Sequence, residues 1–295
     1  MIEQLLSPDS PFARRFFFIA RRFVAGERIA DAIEAVRRIN ERGMTASLDF
    51  LGEDVRDRET ATRTTDTYLA MLDAIASSGI RSNISVKLTA IGLLIDGDFA
   101  LRNLERILER AGSSPDPFVR IDMEGSALTQ STLSIFEQAF AEHKNVGIVL
   151  QALLKRTPAD VERAVELGAR VRLCKGAYKE PSSIAFASMS EIRAQYLRLA
   201  ELLLTRGTYP GIATHDRRLV AGVKEIVTRH EIAPDRFEFQ MLYGCRPELQ
   251  RRIVAEGYNM RIYVPFGTHW AGYFYRRIAE RRENALFALS SIFSR

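Results

Sequence analysis

The chain has 295 residues, 46% apolar and 27% charged, with a formal net charge of +5. That composition excludes a disordered or collagen-like chain, and the charges are mixed rather than gathered into the dense basic stripe of a nucleic-acid binder. Two cysteines, Cys174 and Cys245, support neither a disulfide framework nor a closed zinc site, so no metal is expected.

Taken in chain order, helical spacing covers Arg14–Phe23 and Ala30–Asn40. Short β-rich runs then alternate with longer helix-like segments. The strands read from the sequence are Thr45–Leu51, Asn83–Leu88, Phe118–Met123, Val146–Ala152, Arg170–Cys174, Gly211–Thr214, Phe237–Met241 and Asn259–Val264. Helical patterns occupy Ala61–Ser78, Pro158–Leu167, Ser190–Arg206, Leu219–His230 and Pro247–Glu256. Such alternation implies parallel strands with crossover helices, and eight units over about 250 residues favour a closed barrel over an open doubly wound sheet. The expected fold is α/β: a (β/α)8 TIM-like barrel catalytic domain over 45–295, ending in a C-terminal helix, after an N-terminal helical extension over 1–44. Apolar runs are too short to span a bilayer, and no basic-then-apolar leader opens the chain, so a soluble, cytoplasmic protein is expected.

Polar groups gather at the strand ends, where barrels of this type assemble their sites. Asp49 lies in the first strand, Lys87 and Asp122 end the second and third, and Gln151 ends the fourth. Arg172 and Lys175 flank the end of the fifth, before the small residues Gly176 and Ala177. Thr214, His215 and Asp216 follow the sixth, while Gln240 and Tyr263 sit in the last two. Any one of these reads most simply as a solvated loop charge or a structural hydrogen bond. The habit shared by every strand points instead to a polar ligand, because a buried polar group without a partner costs roughly 1–3 kcal/mol.

No Gly-x-Gly-x-x-Gly or Walker-type loop supports a Rossmann crevice or a P-loop. The run from Arg172 to Tyr178 places two cations beside a small-residue turn, which suits a phosphate or pyrophosphate. Farther on, Tyr273, Arg276, Arg277 and Glu280 stand at helical spacing. Two neighbouring guanidiniums suit a carboxylate, although an exposed charge pair explains the same spacing.

Together these motifs make the chain resemble the proline dehydrogenase family of flavoproteins. The resemblance runs from Ser47-Leu-Asp-Phe-Leu-Gly-Glu through Ser85-Val-Lys87-Leu-Thr, Arg120-Ile-Asp122-Met-Glu and Val171-Arg172-Leu-Cys-Lys175-Gly-Ala-Tyr178. It continues through Ala213-Thr214-His215-Asp216, Phe239-Gln240-Met-Leu242 and Arg261-Ile-Tyr263-Val-Pro to Arg276-Arg277-x-x-Glu280. It implies FAD-dependent oxidation of L-proline to Δ1-pyrroline-5-carboxylate, by hydride transfer from C5 to flavin N5, with a quinone as electron acceptor. Asp122 and Arg172 are then the catalytic pair, Arg172 lying near flavin N5. Lys87, Leu242, Tyr263, Tyr273, Arg276, Arg277 and Glu280 are the substrate-binding set, with both arginines on the proline carboxylate. FAD falls to Met123 (through its backbone), Gln151, Arg172, Lys175, Gly176, Ala177, Thr214, His215 and Gln240.

The length leaves no room for a second enzyme domain, so a separate pyrroline-5-carboxylate dehydrogenase is the expected partner. The tails, Pro11–Val24 and the amphipathic segment from Ala285, read first as helices packed on the barrel wall. Peripheral contact with an anionic membrane face is the alternative. Two other function classes fit the barrel alone: a lyase or aldolase using Lys87 or Lys175 as a Schiff-base amine, and a non-catalytic binding barrel.

Overall fold

The structure is a computed structural model that describes residues 20–114 and 116–273. Eight parallel strands close a barrel in sequential order: β1 (Thr45–Phe50), β2 (Ser82–Val86), β3 (Val119–Ile121), β4 (Val146–Gln151), β5 (Arg170–Cys174), β6 (Gly211–Ala213), β7 (Glu238–Leu242) and β8 (Met260–Phe266). β1 closes the ring by pairing on both sides, with Ser47 opposite Asn83 of β2 and Tyr263 of β8. Every strand expected from sequence is present, with ends displaced by at most two residues. β7, for example, is shifted one residue C-terminal of Phe237–Met241.

Helix α1 (Ile29–Asn40) precedes β1 and packs against β1 and β8. The crossovers are α2 (Arg58–Ser78), α3 (Gly97–Ala111), α4 (Thr129–Glu142), α5 (Thr157–Glu166), α6 (Met189–Arg206), α7 (Arg217–Arg229) and α8 (Pro247–Ala255). α3 and α4 are helices beyond those delineated from sequence. Local chemistry sets several boundaries. Asp57 accepts the Thr60 N–H at 2.8 Å to start α2, and Gly79, at φ 68°, ends it in the left-handed region that glycine adopts without strain. Ser188 and Glu191 form a reciprocal capping box that starts α6.

Along the strands, side chains alternate between two different environments. Leu48, Val86, Ile121, Ile148, Leu173, Phe239 and Ile262 join Tyr68, Leu104, Phe136, Leu199 and Val223 from the helices in one continuous apolar core. The alternate positions, including Ser47, Asp49, Ser85, Arg120, Arg172, Glu238, Gln240 and Arg261, are buried yet polar. Arg172 of β5 reaches Ser85 of β2, three strands away, which is possible only across the barrel interior. Most barrels of this type fill that interior with branched apolar residues. Here the hydrophobic core is the ring between sheet and helices, and the lumen is a polar column.

None of the described helices is long and apolar enough to cross a membrane. The helix expected over Arg14–Phe23 lies mostly outside the described residues, as do Arg276, Arg277, Glu280 and the C-terminal amphipathic segment.

Candidate active site at the C-terminal mouth of the barrel

Two ion pairs occupy the upper lumen. Lys87, one residue beyond β2, gives Nζ to both oxygens of Asp49 in β1 at 3.0 and 2.9 Å. Burial pulls the lysine pKa down, but the Asp49 and Asp122 carboxylates reverse this and raise it well above its ordinary value. Burial, joined by the Asp122 carboxylate, pushes Asp49 above the usual carboxylate range, while the Lys87 ammonium bound to both of its oxygens opposes that push. Lys87 is therefore a fixed ammonium.

The second pair centres on Asp122, immediately after β3. Its Oδ1 accepts from Arg172 Nη1 at 2.8 Å and its Oδ2 from the Tyr263 hydroxyl at 2.7 Å. Arg172 Nη2 donates to Ser85 Oγ at 3.2 Å, and Ser85 meets Ser47 at 3.0 Å. The guanidinium also lies 5.3 Å from the Tyr263 ring centroid. Burial and the Asp122 carboxylate raise the Tyr263 pKa well above the usual phenol range, so its hydroxyl stays protonated and donates. Asp122, Arg172 and Tyr263 thus form one rigid unit from three strands.

A third group builds the wall between β4 and β6. Gln151 donates from Nε2 to the Glu124 carbonyl at 2.8 Å. Its buried Oε1, like the buried Arg172 Nε, has no hydrogen-bond partner among the described residues. Gly176 follows β5 at φ 110°, where an added Cβ would stand 1.8 Å from Leu153 Cδ2. Only glycine fits this turn, which brings backbone close to Gln151. Asp216 accepts from Arg193 at 2.7 Å, lies 3.8 Å from Lys175, and caps α7 through the Arg218 N–H. Buried Thr214 turns its hydroxyl to the Asp216 N–H at 3.1 Å. His215 Nε2 accepts the Leu242 N–H at 2.9 Å, an arrangement that suits neither a metal ligand nor a general base at that nitrogen. No cluster of metal-binding side chains occurs among the described residues.

The structure thus brings Lys87, Asp122, Arg172 and Tyr263 into direct contact with one another or through Asp49, and gathers Met123, Gln151, Lys175, Gly176, Ala177, Thr214 and His215 at the adjoining strand ends. Tyr273 is buried in a satellite cluster with Phe23, Val24, Leu51 and Trp270, whose indole donates to Glu27 at 3.3 Å. Gln240 is placed differently: its amide donates to Glu238 Oε1 at 2.6 Å, toward the N-terminal end of β7. The structure adds participants that the strand-end reading did not assign: Asp49 as the partner of Lys87, Ser85 beneath Arg172, and Glu124. The alternation of polar and apolar residues along the strands was the signal for the first two.

Comparison with known proteins follows this geometry. The family model described as proline dehydrogenase matches residues 32–289. The chain is 42% identical over 273 residues to proline dehydrogenase 1 of Bacillus subtilis, covering 92% of this chain and 90% of that one. It is 37% identical over 284 residues to proline dehydrogenase of Deinococcus radiodurans, covering 95% and 91% respectively. Among solved structures, proline utilization A (PutA) from Bdellovibrio bacteriovorus, inactivated by N-propargylglycine, superposes with a TM-score of 0.83 at 25% identity. That match covers 90% of this chain and 33% of the other, so the chain spans about a third of that longer protein. With the family model covering most of the chain and close relatives matched nearly end to end, the chain belongs to the proline dehydrogenase family.

Proposed function

We propose that this chain catalyses FAD-dependent oxidation of L-proline to Δ1-pyrroline-5-carboxylate, with a quinone as electron acceptor. The observation that carries the reading is the Asp122–Arg172–Tyr263 unit at the barrel mouth, beside a wall whose Gln151 Oε1 and Arg172 Nε are buried and unpartnered. An acceptor and a donor so placed fit the edge of a ring carrying both kinds of group, and the Gly176 turn permits close backbone approach. When bound, FAD supplies the two-electron acceptor for the hydride from C5 of proline.

The chain's own residues bind and orient. Arg172, Gln151, Lys175, Gly176, Ala177, Thr214, His215 and the Met123 backbone hold the cofactor. Arg172 sets a fixed positive charge where negative charge develops, and Asp122 keeps it in place. Lys87 faces the substrate as a permanent cation, and Arg276 and Arg277 grip its carboxylate, with Glu280 orienting the first. Leu242, Tyr263 and Tyr273 wall the apolar ring and exclude water. For Lys87 the Schiff-base alternative is disfavoured by the same geometry, because an ammonium locked by Asp49 is not a free amine nucleophile.

Anaerobic addition of L-proline to the purified yellow protein tests this reading. Bleaching of the oxidised flavin band, restored by a soluble quinone, is the expected result. A colourless protein that FAD does not reconstitute would refute it.

A further inference from the structure

Glu124 lies just beyond β3, buried, and neither binds substrate nor holds FAD in the reading above. Its carboxylate accepts the Thr89 N–H at 3.2 Å through Oε1 and the Thr89 hydroxyl at 2.6 Å through Oε2. Thr89 stands in the short 3-10 turn Leu88–Ala90, and Lys87, which caps that turn, makes no side-chain capping bond. Free N–H groups at the start of such a turn need an acceptor, and Glu124 provides it from a neighbouring strand end. The position of Lys87 on this turn therefore depends on Glu124.

The same two residues reach further. Thr89 Oγ1 accepts the Asp54 N–H at 3.1 Å, and its carbonyl accepts the Val55 N–H at 3.1 Å, tying down the loop after β1. On the other side, the Glu124 carbonyl takes the Gln151 amide at 2.8 Å and so dictates which way the unpartnered Oε1 points. The next residues are anchored as well, because Glu180 of the loop after β5 accepts the Ser126 N–H at 2.8 Å and the Ser126 hydroxyl. A buried carboxylate is costly to desolvate. Its retention here coincides with bonds to both halves of the site.

We propose that Glu124, acting through Thr89 and Gln151, is a positioning residue that couples the substrate-side ammonium of Lys87 to the cofactor-side amide of Gln151. This rests on the roles assigned to Lys87 and Gln151 under the proposed function. The test compares holoenzyme variants Glu124→Ala, Thr89→Val and Thr89→Ser with Lys87→Ala and Gln151→Ala as references. Two quantities are read: the KM–kcat split for L-proline, and the rate of FAD release on dilution, followed by flavin fluorescence.

Glu124→Ala removes the carboxylate that fixes position 124 against Thr89 but keeps the backbone carbonyl that holds Gln151. KM is therefore expected to rise by about fivefold, the scale of one typical hydrogen bond, and FAD release, governed only through the placement of that carbonyl, to speed by about twofold. Thr89→Val should raise KM similarly, while Thr89→Ser, which keeps the hydroxyl, should stay within about twofold of the parent. Thr89→Val and Thr89→Ser behaving alike would overturn the proposal, since packing rather than the hydroxyl would then matter. Unchanged KM and FAD release in folded Glu124→Ala would also overturn it, provided the reference variants show their effects. If Lys87→Ala leaves KM unchanged and Gln151→Ala leaves release unchanged, the functional reading itself fails and takes this inference with it.

Discussion

At the scale of single residues, the site is defined by which charges are locked and which polar atoms are left over. Lys87 and Asp49 neutralise each other inside the lumen, so removing one leaves the other buried and uncompensated. Asp49→Asn is expected to cost about 3 kcal/mol in urea unfolding and to raise KM for L-proline. Stability and KM both unchanged would remove Asp49 from this account. Cys174 gives a prediction of the opposite kind. Burial pushes its thiol up to about 12, despite the nearby Arg172. A partly buried thiol this reluctant to ionise packs against the core as a small apolar group, so iodoacetamide at about pH 8 should leave Cys174 unmodified in the folded protein. Peptide mass mapping checks this, and rapid labelling would contradict it. Lys87, Asp122, Arg172 and Tyr263 could be picked out of the sequence because polar or ionisable groups in or just after β2, β3, β5 and β8 are costly to bury without partners. The partners were not, since Asp49 and Lys87 lie 38 residues apart and only the β1–β2 register brings them together.

At the scale of elements, the loops after the strands carry the site, and their conformations depend on a few positions. Gly176 combines a φ of 110° with a Cβ position that would fall on Leu153. Gly176→Ala must therefore displace the Leu153 side chain and strain the backbone after β5, and faster FAD release is expected, by about fivefold or more given the 1–3 kcal/mol typical of such backbone strain. FAD release at the parent rate would show that the turn does not set cofactor binding. The Ser188–Glu191 box at the start of α6 is an independent local feature. Helix starts such as this are visible in sequence because the capping atoms are three residues apart. The Glu124–Thr89 contact joins two loops 35 residues apart, and no local signal announces it.

At the scale of the whole molecule, the unusual property is a barrel that is apolar outside its sheet and polar within it. Below the mouth, Arg261 gives Nε to both oxygens of Glu238 at 2.8 and 3.0 Å, while its Nη1 donates to the Ala46 carbonyl at 2.7 Å and to Asp116 at 3.2 Å. Burial pushes Glu238 up, but Arg261, Gln240 and Arg120 outweigh it and hold the carboxyl below its ordinary 4.5. A carboxyl lowered in the folded state stabilises above its unfolded pKa and loses that contribution as pH falls through the folded value. Unfolding by urea between about pH 3 and pH 7 should therefore show stability falling on the acid side, with a shallower fall in Glu238→Gln. Equal slopes for the two proteins would mean that this network does not govern acid stability. The architecture was largely readable in advance: alternating β and α segments, each able to bury an apolar face, leave few alternatives to a parallel sheet with crossover helices. By itself the sequence determined the fold class, the strand identities, the family and most residues at the mouth, because these follow from local periodicity and from motifs of contiguous residues. Only the tertiary structure decided which charges neutralise one another, that Gln240 turns toward the barrel floor, and that Glu124 joins the two halves of the site. Those outcomes depend on register and on distances across a closed lumen, which residues far apart in the chain share only after folding.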